Sequence, residues 1–274
     1  MKIELMLRPV NEASTWLLRH SRNVTSQCGE DGIIAKVFEL IGHHGTVCVE
    51  LGAWDGMRFS NTFTLVKQRG WFGYLIEANA DKFKALQTTY SDNPNARLIN
   101  RFVKLDKGEG SLDEILAEQQ CPVEIDLLSI DIDGNDYYVW ESMVEHSAKV
   151  VVVEFNPTVP NDVCFVQDRS FAVNQGCSLL SLTLLARGRG YQLVCATRCN
   201  AIFVRSEYFR LFNIRDNSLD AMYQPQMNGR IFHGYDGTIH VVGMPRLMWH
   251  EVILSDENFQ VLPQDLRRFG DAQR

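Results

Sequence analysis

Two apolar runs, residues 191–197 and 200–205, are separated by only two residues. A parallel crossover needs a dozen or more residues, so these runs must pair as an antiparallel hairpin. Upstream, five short runs alternate with helical patterns: residues 46–52, 72–77, 96–103, 125–131 and 149–155. That alternation implies a mostly parallel sheet built from crossover units. The run Lys149-Val-Val-Val-Val-Glu154 is almost wholly apolar, as expected of a strand covered on both faces. Helices are expected over residues 32–41, 81–90, 112–120, 136–145 and 178–187, and from the Ser60-Asn61-Thr62 caps to Arg69, where Gly70 stops it. The sheet domain therefore spans residues 46–206. A helical cap (1–45) precedes it, and an irregular, aromatic-rich extension (207–274) follows as a cap or oligomer surface.

The chain of 274 residues carries a net charge of -7, with 45% hydrophobic and 22% charged residues. A nucleic-acid partner is not expected, because phosphate binding needs a basic surface. No apolar run is long enough to span a bilayer, and residues 1–10 lack a signal-peptide core. Seven cysteines without a C-x-x-C pair fit neither a disulfide framework nor a zinc ribbon, so a reducing cytoplasm is the expected location. Cys48 and Cys195, inside apolar runs, read as small buried hydrophobes.

Chemistry concentrates at the carboxyl ends of the expected strands, where open α/β sheets bind ligands. The first strand ends in Glu50-Leu-Gly52-Ala53-Trp-Asp55-Gly56. Its spacing is G-x-x-x-G, not the dinucleotide G-x-G-x-x-G. Two carboxylates, Glu50 and Asp55, against one base, Arg58, suit a cationic ligand better than a pyrophosphate. A ligand-free tight turn is the plain alternative. Glu77 ends the second strand, where an acid accepts hydrogen bonds from ribose hydroxyls. The fourth strand ends in Asp131-Ile-Asp133-Gly134-Asn135-Asp136 and the fifth in Glu154-Phe155-Asn156-Pro157. These acids can hold an ammonium group, take a substrate proton or bind a divalent ion. Asp133 and Asp136 also fit as helix caps, and Glu154 as part of a structural turn.

Together these motifs resemble the FkbM-type methyltransferases, which use S-adenosylmethionine (SAM). The resemblance runs from about Ser26 to Arg205. It rests on Ser26-Gln27-Cys28-Gly29-Glu30-Asp31, the 50–56 turn with Ser60-Asn61-Thr62, Gly70-Trp71-Phe72-Gly73 leading to Glu77-Ala78, Ser111-Leu112-Asp113, Asp131-Ile-Asp133-Gly134 and the Glu154 strand end. It implies a Rossmann-like α/β fold of seven strands, mostly parallel and ending in the antiparallel hairpin. It also implies a SAM site: Gly52 with Ala53, Asp55 and Gly56 at the methionine part, Glu77 and Ala78 at the ribose, Asp131 at the ammonium or substrate side, and Gln27, Glu50 and Asn61 lining the pocket. Asp131, Asp133 and Glu154 are the expected catalytic acids. Asp133 departs from the family wording Asp-x-Glu-Gly. Crowded acids here also resemble the macrocin-type O-methyltransferases, which use magnesium, although no metal ligand is assigned.

The expected reaction is O-methylation of a sugar, glycan or small natural product, with homodimerisation through the C-terminal extension as one expected assembly. Two alternatives stay open. One is attack at the aminocarboxypropyl carbon of SAM, releasing methylthioadenosine, with Tyr137, Tyr138 and Trp140 shielding the sulfonium. The other is a non-catalytic binding scaffold.

Overall fold

The computed structural model describes residues 10–43, 45–225, 229–243, 246–247 and 249–268. Its main sheet has seven strands: β1 (Val47–Leu51), β2 (Phe72–Ile76), β3 (Ala96–Ile99), β4 (Glu124–Ile130), β5 (Ser147–Glu154), β6 (Tyr191–Ala196) and β7 (Asn200–Arg205). Their order is β3-β2-β1-β4-β5-β7-β6. The first five are parallel, and β7 runs antiparallel to both β5 and β6. This is the strand order and direction of the Rossmann-like class I methyltransferase fold, with the hairpin that the two-residue connection required.

Five helices lie between or ahead of these strands: α1 (Glu30–Ile41), α2 (Ala80–Thr89), α3 (Leu112–Glu118), α4 (Asp136–Ser142) and α5 (Leu179–Gly188). Three start on side-chain caps: Asn79 for α2, Ser111 for α3 and Ser178 for α5, each satisfying N–H groups that a helix start leaves bare. The helix expected between the Ser60-Asn61-Thr62 caps and Gly70 forms, largely as a π-helical stretch, Thr64–Gln68. Ser60 braces the turn ahead of it, accepting from Thr62 N and Phe63 N. Residues 10–43 are only partly helical: a 3-10 turn (Trp16–His20) and α1 flank an irregular loop.

The centre of β5 shows why its sequence is so apolar. Val150 to Val153 are each 1% exposed or less, as in a strand covered on both faces. Trp140 of α4 packs at 5.3 Å from Phe203 and 5.6 Å from Tyr191. At the opposite end of the sheet from the strand tips, Lys149 pairs with Asp126 at 2.5 Å in the interior, and Asp126 also accepts from Gly45 N and Val47 N. Breaking one member of such a pair would strand a buried charge.

The core continues past Arg205. Short helices α6 (Ser206–Phe209) and α7 (Leu219–Met222) bring Phe212, Ile214, Met222 and Tyr223 into it. Beyond them, β8 (Arg230–His233) and β9 (Ile239–Val242) form a separate two-stranded hairpin. Among the described residues no helix is long and apolar enough to cross a membrane.

Candidate active site

The register places the strand ends side by side. Leu51 pairs with Ile76 on one side and Ile130 on the other, so Gly52, Glu77 and Asp131 emerge together. β1 and β4 are neighbours where the chain order reverses, the point at which open α/β sheets form a crevice. A cleft of about 580 Å³ lies there.

Gly52 is required by that crossing. Its φ is +84°, and a Cβ would sit 1.7 Å from the carbonyl oxygen of Asp131. Its N–H and that of Ala53 both donate to Ile76 O, which bends the chain over β2. Trp54 N then donates to Glu77 Oε2 at 2.9 Å, and Asn79 N to Oε1 at 2.7 Å. Glu77 is thereby fixed, with lone pairs left for hydroxyl donors.

Glu50 is buried and serves the next loop. It accepts from Ser60 Oγ at 2.7 Å, Asn61 N at 2.8 Å and Thr62 Oγ1 at 2.8 Å. Burial raises its pKa against those bonds. Asn61, held this way, donates Nδ2 to Ser129 Oγ at 3.1 Å. Its Oδ1 is buried and has no partner.

The acids of β4 and β5 converge. Asp131, Asp133 and Glu154 each present an oxygen within 4.8 Å of the others, close enough to share one cation. Burial and then the neighbouring carboxylates push both Asp131 and Glu154 upward, and the two share a hydrogen bond. Like charges this close cannot all ionise, so Asp131 and Glu154 hold a proton between them. Asp133 has φ +57° and is exposed. Asp136 is buried and accepts from Ile132 N and Gly134 N, so it braces the turn that presents Asp131 and Asp133.

Of the sequence-predicted residues, Gln27, Glu50, Gly52, Ala53, Asn61, Glu77, Ala78, Asp131, Asp133 and Glu154 line the cleft. Asp55 and Gly56 are not among its lining residues. Asp55 accepts from Met57 N and Arg58 N within its own turn, and Gly56 lets the turn pack on Leu86 and Tyr90. Asp55 therefore adds nothing to the cleft's acids, which are Glu50, Glu77, Asp131, Asp133 and Glu154, set against Arg58, Lys82 and Arg101. Tyr137, Tyr138 and Trp140 are not at the cleft either: Trp140 is core, and Tyr138 stacks under Arg169 at 4.4 Å. Sequence reasoning missed the aromatic wall: Trp54, Phe59, Phe102, Phe171 and Trp249, with Arg58, Lys82 and Arg101 among them. Phe102 and Phe171 meet at 4.5 Å, and Lys82 sits 4.4 Å over Trp54. The one available signal was the aromatic richness of the C-terminal extension, which supplies Trp249.

No protein-family model matches the chain, and no curated protein matches its sequence. Solved structures do resemble it. The METTL16 methyltransferase domain is 13% identical with a TM-score of 0.39, covering 63% of this chain and 65% of that one. The CMeT domain of the citrinin polyketide synthase is 9% identical with a TM-score of 0.45, covering 64% and 51%. A SAM dependent methyltransferase from Aquifex aeolicus is 12% identical with a TM-score of 0.38, covering 64% and 88%. The match thus spans between half and two thirds of the first two relatives' own length. The fold assignment itself stands on strand order and direction.

Proposed function

We propose that this chain is a SAM-dependent methyltransferase of the FkbM type that methylates a hydroxyl on a sugar, glycan or small natural product. The observation that carries this reading is the cleft's inner surface at the β1–β4 crossing. It combines acids with one buried, unpartnered acceptor, Asn61 Oδ1. Such a surface favours a ligand that brings positive charge and hydrogen-bond donors. It disfavours a pyrophosphate, which would meet carboxylates instead of bare N–H groups.

The residues fit SAM group by group. Glu77 accepts from the ribose hydroxyls. Asn61 Oδ1 and Asp131 accept from the ammonium group. Gly52 and Ala53 let the ligand approach the backbone, and Gln27 closes the side towards α1. SAM, when bound, supplies an electrophilic methyl group. The chain's own task is then to align the acceptor and take its proton. Asp133, at the exposed edge, receives the hydroxyl proton, while the shared proton, on Glu154 when the ligand binds, leaves Asp131 ionised beside the cation. The aromatic wall offers faces for the apolar side of the acceptor, and Trp249 extends it from the C-terminal segment. No resident metal is assigned, since the shared proton and the ligand's positive charge together offset the clustered acids. The exposed Ile231, Tyr235, Ile253 and Val261 of the C-terminal extension support its use as an oligomer surface.

The test is incubation with SAM and a panel of hydroxylated acceptors, followed by mass spectrometry. S-adenosylhomocysteine (SAH) formed in step with a methylated acceptor supports the reading. Release of methylthioadenosine in its place refutes methyl transfer.

A further inference from the structure

Beside the cleft, the loop ahead of α1 meets the turn between β6 and β7. Cys28 Sγ lies 3.5 Å from Cys199 Sγ, across 171 positions of sequence. Glu30 holds both segments in place. Its Oε2 accepts from Cys28 N at 2.7 Å. Its Oε1 accepts from Thr197 Oγ1 at 2.7 Å and Asn200 Nδ2 at 3.1 Å. Asp31 fixes the same loop by accepting from the N–H groups of Val24, Thr25 and Ser26. The two sulfurs are thus placed in contact by a braced frame.

The pair is asymmetric. Cys28 is partly accessible and Cys199 is buried. The hydrogen bond from Cys199, with Arg198 nearby, holds the Cys28 thiol below its usual range, whereas the Cys199 thiol is raised. An accessible thiol of low pKa beside a second thiol is the arrangement found in redox-sensing pairs. The remaining cysteines do not share it: Cys48, Cys121, Cys177 and Cys195 are buried, and Cys164 is exposed. The single Cys199 S–H is shared between Cys28 Sγ and Gln27 Oε1, the latter 3.6 Å away, and Gln27 lines the cleft. A disulfide has no S–H, so oxidation would remove that donor.

We propose that Cys28 and Cys199 form a reversible disulfide, by exchange with a low-molecular-weight disulfide, and that this releases Gln27 from its anchor at the cleft wall. In the first step the Cys28 thiolate attacks one sulfur of the small disulfide, whose S–S bond breaks to expel a thiolate. Cys199, giving up its proton, then attacks Cys28 Sγ and expels the second thiolate. Two protein thiols are oxidised, one small disulfide is reduced to two thiols, and both protons end on the released thiols. The sulfurs must close by about 1.5 Å to reach bonding distance, a movement assigned to rotation of the two cysteine side chains within the braced frame. The consequence for ligand affinity rests on the SAM reading above, whereas the disulfide itself does not.

The experiment equilibrates the full chain with oxidised and reduced glutathione, blocks free thiols and maps linkages by mass spectrometry. The expected product has lost two hydrogens, carries a Cys28–Cys199 cross-linked peptide and reverts with dithiothreitol. Cys28→Ser and Cys199→Ser each lack it. Oxidised wild type should bind SAH roughly fivefold more weakly, the scale of one lost hydrogen bond, while Cys28→Ser treated alike should not change. A stable glutathione adduct on Cys28 with no cross-link overturns the proposal, as does a bound zinc ion that protects both thiols. A cross-link without change in SAH affinity overturns the Gln27 release. If neither redox state binds SAH, the cofactor reading fails, and the linkage map still decides whether the disulfide forms.

Discussion

Asn61 donates its side-chain N–H to Ser129 Oγ at 3.1 Å, tying the loop after β1 to β4, while its Oδ1 stays buried without a donor. An unmet buried acceptor costs about 1–3 kcal/mol, and a ligand that supplies the donor removes that cost. Asn61→Ala should therefore weaken SAM binding by roughly tenfold or more. Its thermal stability should fall by less than this loss implies, because the unpaired oxygen leaves with the side chain. Calorimetric titration and a melting curve of the same variant check both; unchanged affinity contradicts the assigned role.

Gly52→Ala should be severe. The added Cβ would meet the Asp131 carbonyl at 1.7 Å on a backbone with φ +84°, so β1 or β4 must shift. Strain and displacement together predict a loss of about 3 kcal/mol or more and no measurable SAM binding. The readouts are denaturant unfolding and titration. An alanine variant with wild-type affinity would show that the β1–β4 crossing is not where the ligand sits.

Asp131 and Glu154 should respond differently to neutralisation. Both have pKa values raised above their ordinary ones by burial and mutual repulsion. For raised acids the folded state binds the proton more tightly than the unfolded one. Stability of the ligand-free protein should then fall as pH rises from the ordinary carboxylate range through the raised one. Glu154→Gln imitates the protonated acid, so it should fold at least as well as wild type and flatten that decline. Asp131→Asn removes the charge that faces the cation and should cost on the order of 100-fold in kcat/KM. Melting temperatures across pH, with kinetics of both variants, separate the two roles. A Glu154→Gln variant with a steeper alkaline decline would contradict the proton's placement.

Asp113 gives the opposite sign, away from the cleft. It accepts from Glu145 N at 2.9 Å and from His146 N and Nδ1 at 2.9 Å each, and from Val144 N. Burial opposes its ionisation, but these bonds outweigh it and hold the pKa at about 2, against an ordinary 3.8. A lowered acid contributes stability above its unfolded pKa and loses it as pH falls towards the folded one. Asp113→Asn should cost about 2 kcal/mol at neutral pH, with the difference from wild type vanishing between pH 4 and pH 2. Acid unfolding followed by circular dichroism measures this; a constant difference across that range contradicts it.

The sheet was legible because its strands are short β-branched runs ended by glycine or acid, and the hairpin because its connector is too short for any other path. Glu77, Asp131 and Glu154 were legible for the same reason: they end those runs, and strand ends converge. Asp55 was not, because a carboxylate two residues before an N–H can cap its own turn as readily as face a ligand. The aromatic wall draws Phe59, Phe102, Phe171 and Trp249 from separate segments, so no local period marks it. Nor does one mark Cys28 and Cys199, which only the meeting of a loop and a hairpin turn brings together. Phe212 and Tyr223 read as part of an irregular tail, yet they bury in the core, since their spacing there follows short turns rather than a helical or strand period.

The cleft's acids should select a ligand that brings an ammonium group, and in SAM a positive sulfur, over a pyrophosphate. Isothermal titration of the full chain with SAM, SAH and NAD tests it most directly. One SAM or SAH should bind per chain, with SAM binding weakened on the order of 100-fold in Asp131→Asn and no heat from NAD. Binding of NAD in that cleft, with SAM and SAH inert, would contradict it.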